Sequence, residues 1–270
     1  MVKPGPVFLP WLEPSLAQAV KTEIESKGVG IHAGQAVERI EASNGNLSVK
    51  CKDLTLNGDM VLVAIGIVPN SQVAEISGID LGVKKSIAVD RTLKTSDEHI
   101  YAAGDCADAY HVVSGEKTWI PLALRANRAG WAVADNVCGN PVELDGVAGT
   151  AVFKVFDLEV ARTGLNVAEA EEAGFEPVEM KITSGSRAHS YPGATPLWVN
   201  LIGDKKSGRL LGAQMVGKES AAHRINAPAV ALHAQMTVEQ FSQTDLAYAP
   251  PFGPTWDPML TAANQLLKML

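Results

Sequence analysis

Residues 60–65, Met-Val-Leu-Val-Ala-Ile, form an unbroken apolar run of strand length that stops at Gly66. Runs of this kind are typical of strands buried on both faces of a sheet, as in α/β proteins. The segments before the run are patterned differently. Residues 15–27 read as an amphipathic helix, with Leu16, Val20 and Ile24 recurring on one face and Gly28 or Gly30 free to end it. Residues 37–40, 47–51 and 54–56 read as short strands, with Asn44-Gly45 and Asn57-Gly58 as the tight turns. Beyond the run, the pattern predicts a helix at 71–77, strands at 87–89 and 100–103, and an alanine-rich helix at 122–138 closed by Gly139-Asn140-Pro141. A glycine-bearing linker follows at 144–149. After Thr150 strands gather at 151–156, 177–183, 197–202 and 210–216, with a helix at 167–173 between the first two. Helices then follow at 219–235, 238–244 and 258–270. Such grouping is that of an α+β domain.

The sharpest local signal is Thr95-Ser96-Asp97-Glu98-His99-Ile100-Tyr101-Ala102-Ala103-Gly104-Asp105-Cys106. An apolar strand candidate runs into Gly-Asp. Gly104 lets a ligand approach the backbone, and Asp105 is placed to accept hydrogen bonds from ligand hydroxyls. The plainer reading is that Asp105 only caps a helix.

Composition removes several other classes. With 46% hydrophobic and 20% charged residues the chain is not of disordered type. A formal charge of −7 offers no basic footprint for nucleic acid. No apolar run approaches the length of a bilayer span, and the first residues lack a signal-peptide core. The three cysteines, Cys51, Cys106 and Cys138, form no C-x-x-C pair, so neither a zinc ribbon nor a dithiol motif is expected. These features predict a cytoplasmic protein without a metal, a nucleic-acid partner or a membrane association.

The order of segments carries a resemblance. Val61 to Asn70 ends in Ala-Ile-Gly-Ile-Val-Pro-Asn, then comes Thr95 to Asp105, then Pro121-Leu122-Ala123-Leu124-Arg125-Ala126-Asn127-Arg128-Ala129-Gly130. This resembles the flavin-dependent pyridine nucleotide–disulfide oxidoreductases. The resemblance implies that Gly66 lies where the chain leaves the NAD(P)H-binding domain. Gly104 and Asp105 would meet the FAD ribityl chain, and Leu122 and Ala123 the flavin pyrimidine edge. The C-terminal part, with Tyr191-Pro192-Gly193 and Tyr248-Ala249-Pro250-Pro251-Phe252-Gly253-Pro254-Thr255-Trp256-Asp257-Pro258, is similar to the single-cysteine subgroup of coenzyme A–disulfide reductases, NADH oxidases and NADH peroxidases. By that resemblance Tyr191 and Tyr248 are the catalytic candidates, each reaching the partner subunit's active-site sulfur in a homodimer. A strand-edge aromatic packed on Pro192 is the plainer account of Tyr191. Arg224 is expected either to meet a phosphate or to hold an interhelix ion pair, the ion pair being the favoured reading, and Phe252, Trp256 and Met259 are expected in interface packing.

The expected architecture is therefore α/β, built of partial FAD- and NAD(P)-binding Rossmann-like segments, followed by an α+β dimerisation domain. Residues 1–70 would be the later half of the NAD(P)H-binding domain, 71–149 the returning segment of the FAD-binding domain, and 150–270 the interface domain. Neither G-x-G-x-x-G phosphate loop is present, and none of the three cysteines aligns with the family's catalytic one. The expectation is an FAD-dependent NAD(P)H oxidoreductase reducing coenzyme A disulfide or a related small disulfide. Its cysteine would lie outside these residues, and the isolated chain would be inactive. NADH oxidase or peroxidase chemistry, and a flavin-free dimerisation module, are the alternatives.

Overall fold

The computed structural model describes residues 1–43 and 45–270. The chain divides into two compact units, one of residues 1–66 with 154–158 and one of residues 67–153 with 159–270. The first unit contains β1 (Val2–Lys3), α1 (Pro14–Ser26), β2 (His32–Ala33), β3 (Val37–Ser43), β4 (Asn46–Cys51) and β5 (Thr55–Gly58). β1 and β2 pair in parallel, and β3, β4 and β5 form an antiparallel meander. Helix α1 starts where the sequence can start one. Pro14 opens it at no loss, because the N–H that proline lacks would have no helical acceptor there, and the Glu13 carboxylate accepts from Ser15 N and Leu16 N at 2.8 and 3.1 Å. Leu16, Val20 and Ile24 are buried, as their spacing predicts.

Two expectations for this unit are corrected. Asn57 and Gly58 do not turn; they lie within β5 opposite Ser48 and Leu47. Asn44 of the other expected turn lies outside the described residues, and Gly45 beside it adopts φ +84°. The run 60–65 forms no strand, and Leu62 and Ile65 stay 87% and 92% exposed. A strand is held by hydrogen-bonded neighbours, and no described strand pairs with this run. Its composition has nothing to pack against.

The second unit begins with α2 (Gln72–Ile76), β6 (Ala109–Tyr110), β7 (Lys117–Thr118) and α3 (Ala123–Val137). The strands expected at 87–89 and 100–103 are reduced to isolated bridges, Ile87 with Leu81 and Ala107, and Tyr101 with Lys94. Their apolar residues are nonetheless used. Val89, Leu93, Ala102 and Ala107 pack against Ala129 and Ala132 of α3.

Next come β8 (Ala151–Val155), β9 (Leu158–Gly164), α4 (Val167–Glu172), β10 (Pro177–Gly185), β11 (Pro196–Asp204), β12 (Leu210–Gly217), α5 (Ala221–Arg224), α6 (Asn226–His233), α7 (Val238–Ser242) and α8 (Pro258–Leu266). The strands form a five-stranded sheet of order β10-β11-β12-β9-β8, with the β10–β11, β11–β12 and β12–β9 pairs antiparallel. Leu197, Val199, Leu201 and Met215 of the sheet join Leu232, Phe241, Met259 and Leu266 of the helices in one core. Met259 is thus part of the chain's own interior, not of a subunit interface. β9 was not expected as a strand. The helix expected at 219–235 starts only at Ala221, after Ser220 takes a left-handed φ of +73°, and is two helices, because Pro228 in the first turn of α6 has no N–H to bond back to Arg224.

Candidate functional site

Gly104 adopts φ +89°, a conformation that L residues rarely hold, so the turn it forms depends on glycine. The turn is clamped from several directions. The Arg125 guanidinium, reaching back from the first turn of α3, donates to the carbonyls of Gly104 and Asp108. Trp119 Nε1 donates to the carbonyl of Asp105 at 2.7 Å, and Ala107 N to that of Gly104 at 3.2 Å. Cys106 Sγ lies 3.4 Å from the Ala103 carbonyl, so this thiol serves the turn as a weak donor. The backbone is fixed while the side chain that it presents is free. Asp105 is exposed, and among the described residues its carboxylate accepts no hydrogen bond. It caps nothing.

The start of α3 is equally open. Leu122 occupies the N-cap with extended φ and ψ, and no side chain caps the first turn. The N–H groups of that turn are therefore left to donate to an anion or a polar ring edge, with the helix dipole behind them. Arg125 adds a buried cation to the same turn. Burial holds its pKa below the ordinary arginine value, with the attraction of Asp108 acting the other way.

The second group of candidates lies in the loops beside the five-stranded sheet. Tyr191 and Tyr248 are 37% and 49% exposed. Arg187 lies with its guanidinium 6.0 Å from the Tyr191 ring centre and donates to the Pro192 carbonyl at 3.1 Å. The same guanidinium meets Glu219 with a fork of two 2.9 Å bonds. Hydrogen bonds from Arg187 and then Ser186 hold the Glu219 carboxyl below its ordinary range. The loop after Tyr248 is fixed by Arg224, which pairs with Asp257 and donates to the Phe252 carbonyl, the ion pair that the sequence led us to expect. Phe252 and Trp256 remain 74% and 61% exposed. Gly66 belongs to the other unit, where it adopts φ +100°. No cluster of His, Cys, Asp or Glu among the described residues could hold a metal ion. No described helix is long and apolar enough to cross a membrane.

Residues 1–130 match the pyridine nucleotide-disulphide oxidoreductase family, and residues 150–259 match the dimerisation domain of that family. The chain belongs to the pyridine nucleotide-disulphide oxidoreductases. A relative from Pyrococcus furiosus, named NAD(P)H sulfur oxidoreductase (CoA-dependent), is 35% identical over 94% of this chain and 55% of its own length. A coenzyme A disulfide reductase from Staphylococcus aureus is 34% identical over 80% of this chain and 49% of its own. The solved structure of a NAD-dependent persulfide reductase from A. fulgidus superposes with a TM-score of 0.94 at 37% identity, over 99% of this chain and 50% of that one. The chain spans about half the length of the curated relatives it matches. The family works with FAD and NAD(P)H.

Within this chain, the residues that sequence patterns did not reveal are those holding the candidates in place. Arg125, Trp119, Arg187 and Glu219 act over 14 to 33 positions of sequence. No local pattern announces such a bond. The faint signal for Arg125 was an arginine in the first turn of a helix, where its charge opposes the dipole.

Proposed function

We propose that this chain supplies the flavin-contacting return segment and the dimerisation domain of an FAD-dependent NAD(P)H oxidoreductase that reduces a disulfide of coenzyme A or a related sulfur compound. The observation that carries the reading is the clamped Gly104–Asp105 turn, whose carboxylate is free beside the uncapped start of α3. Residues 1–70 are read as part of the NAD(P)H-binding domain, 71–149 as part of the FAD-binding domain and 150–270 as the dimerisation domain.

Each residue has a role that its setting supports. Asp105 accepts hydrogen bonds from the ribityl hydroxyls, with Gly104 allowing close approach. The free N–H groups at Ala123, after Leu122, meet the pyrimidine edge, where they and the helix dipole stabilise negative charge. Gly66 marks the exit from the nicotinamide domain. FAD, when bound, supplies the redox chemistry between NAD(P)H and sulfur. Tyr191 and Tyr248 direct their hydroxyls at the sulfur centre of the partner subunit in a homodimer. A phenol donates a hydrogen bond to a thiolate without titrating near neutral pH. Cys51 is buried, Cys106 donates within its turn, and Cys138 is exposed at the end of α3. By the resemblance none of the three stands where the family's catalytic cysteine does, and on that ground the nucleophilic cysteine is assigned to polypeptide outside these 270 residues.

The test is the full-length enzyme, purified with and without Asp105→Asn. Loss of the flavin absorption band with retained folding supports the assignment. Retention of flavin at wild-type stoichiometry removes Asp105 from the site. Tyr248→Phe with unchanged disulfide turnover would remove that tyrosine from the chemistry.

A further inference from the structure

The two tyrosine-bearing loops are held from one place. After β12 the chain makes a short turn, Glu219-Ser220, and enters α5. That turn is built to be stiff. Ser220 sits at φ +73°, and the first turn of α5 is tied to β9 by a 2.9 Å bond from Ala222 N to Glu159 Oε2. From its first residue, Glu219 forks onto Arg187, and Arg187 grips the Pro192 carbonyl of the Tyr191 loop. Ser186, preceding Arg187, donates to Glu219 Oε1 at 2.6 Å. From its last residue, Arg224 holds the Tyr248 loop at the Phe252 carbonyl and at Asp257. Asp257 divides its oxygens, one to Arg224 and one to Met259 N at 2.9 Å at the start of α8. There is no slack at this point, since a Cβ on Gly253 would come within 2.7 Å of the Arg224 guanidinium. The loops are also joined to each other, by Ala188 N donating to the Pro250 carbonyl at 3.0 Å.

We infer that the Glu219–Arg224 segment is a common mount for both loops, and that Glu219, acting through Arg187, and Arg224 are positioning residues for Tyr191 and Tyr248 together. The inference rests, for its bearing on catalysis, on the reading that these tyrosines face sulfur; the mount itself does not. Three links close a ring: Glu219 to the Tyr191 loop, that loop to the Tyr248 loop through Ala188 and Pro250, and the Tyr248 loop back to Arg224. In a closed ring of polar links, removing one link changes both loops.

The experiment is carbon NMR of the chain labelled at tyrosine Cζ. There are four tyrosines, and Tyr101 and Tyr110 lie outside the ring and serve as internal references. Glu219→Gln, which keeps the shape and removes the charge, is expected to move the Tyr191 and Tyr248 signals and leave the references in place. Arg224→Lys, which keeps the charge and removes the fork, is expected to do the same, with the larger shift at Tyr248. If each variant moves only its own tyrosine, or neither, the common mount is overturned. Movement of all four signals in both variants also overturns it, because the effect is then global. Turnover by full-length Tyr248→Phe enzyme tests the underlying reading separately. Joint movement of the two signals with unchanged Tyr248→Phe turnover would keep the mount and discard the catalytic role. In full-length enzyme Glu219→Gln should lower kcat about tenfold or more and leave KM for NAD(P)H unchanged, the pattern of misplaced groups.

Discussion

Lys117 Nζ pairs with the Asp108 carboxylate at 2.8 Å, and only 1% of that carboxylate side chain is exposed. Asp108 also accepts from Val89 N at 3.1 Å, and the Lys117 ammonium lies 4.3 Å from the Tyr110 ring centre. This buried pair stands behind the clamped turn, since the Asp108 carbonyl is the second acceptor of Arg125. Removing one partner of a buried pair leaves the other charge uncompensated. Lys117→Met should therefore destabilise the chain by about 2–3 kcal/mol, a figure reduced from the fully buried case because the lysine is 31% exposed. Urea unfolding measures it; a change under about 0.5 kcal/mol, typical of a surface site, would contradict this account.

Gly104 and Asp105 are adjacent and should respond in opposite ways. Gly104→Ala forces a Cβ into a positive-φ conformation and should cost about 1–2 kcal/mol. Asp105→Asn alters an exposed carboxylate that accepts no hydrogen bond, so stability should stay within about 0.5 kcal/mol of the parent. Thermal melts of the two variants side by side give the comparison. A large loss for Asp105→Asn would show that the carboxylate has a structural partner.

His111 supplies a pH dependence whose sign follows from its setting. Its residue is 6% exposed, and its Nδ1 accepts from Val113 N at 3.2 Å. Burial first, and then the charges of Arg162 and His233 against that of Glu169, bring its pKa down to about 4. Between about 4 and its ordinary value of 6.5 the unfolded chain binds the proton and the folded chain does not. Stability contributed by His111 is thus complete above pH 6.5 and is lost as the pH falls toward 4, by on the order of 3 kcal/mol. His111→Asn, whose side-chain oxygen can replace Nδ1 as acceptor, should flatten the stability curve in that window. An unchanged slope would assign the dependence to other groups.

Sequence and structure agree where periodicity meets local neighbours. Leu16, Val20 and Ile24 recur on one face and are buried, and 197–202 and 210–216 are strands of the main sheet. β9 was missed because its Leu158, Val160 and Ala161 are interleaved with Glu159, Arg162 and Thr163, which lowers the apolar signal, although pairing with β12 buries most of it. Asp105 was legible as a site candidate through Gly-Asp after an apolar stretch. Its clamps were not, because Arg125 and Trp119 return to the turn from 21 and 14 residues downstream.

The contrast between two apolar runs leads to a last prediction. Residues 60–65 and 210–216 look alike as sequence, yet Leu210, Leu211 and Met215 are buried while Leu62 and Ile65 are almost fully exposed. The difference is the presence of β11 and β9 on either side of β12. An exposed apolar run contributes nothing to the stability of the chain that exposes it, and it offers a surface for self-association. Leu62→Lys with Ile65→Lys should therefore leave the melting temperature of the 270-residue chain unchanged and reduce its light scattering and dye binding. In the longer oxidoreductase that we propose, with this run inside the nicotinamide domain, the same pair should be strongly destabilising, because two charges would enter an apolar layer. Equal melting temperatures for parent and variant in both settings would mean that the run is never covered, and would remove residues 60–65 from the NAD(P)H-binding domain that we propose.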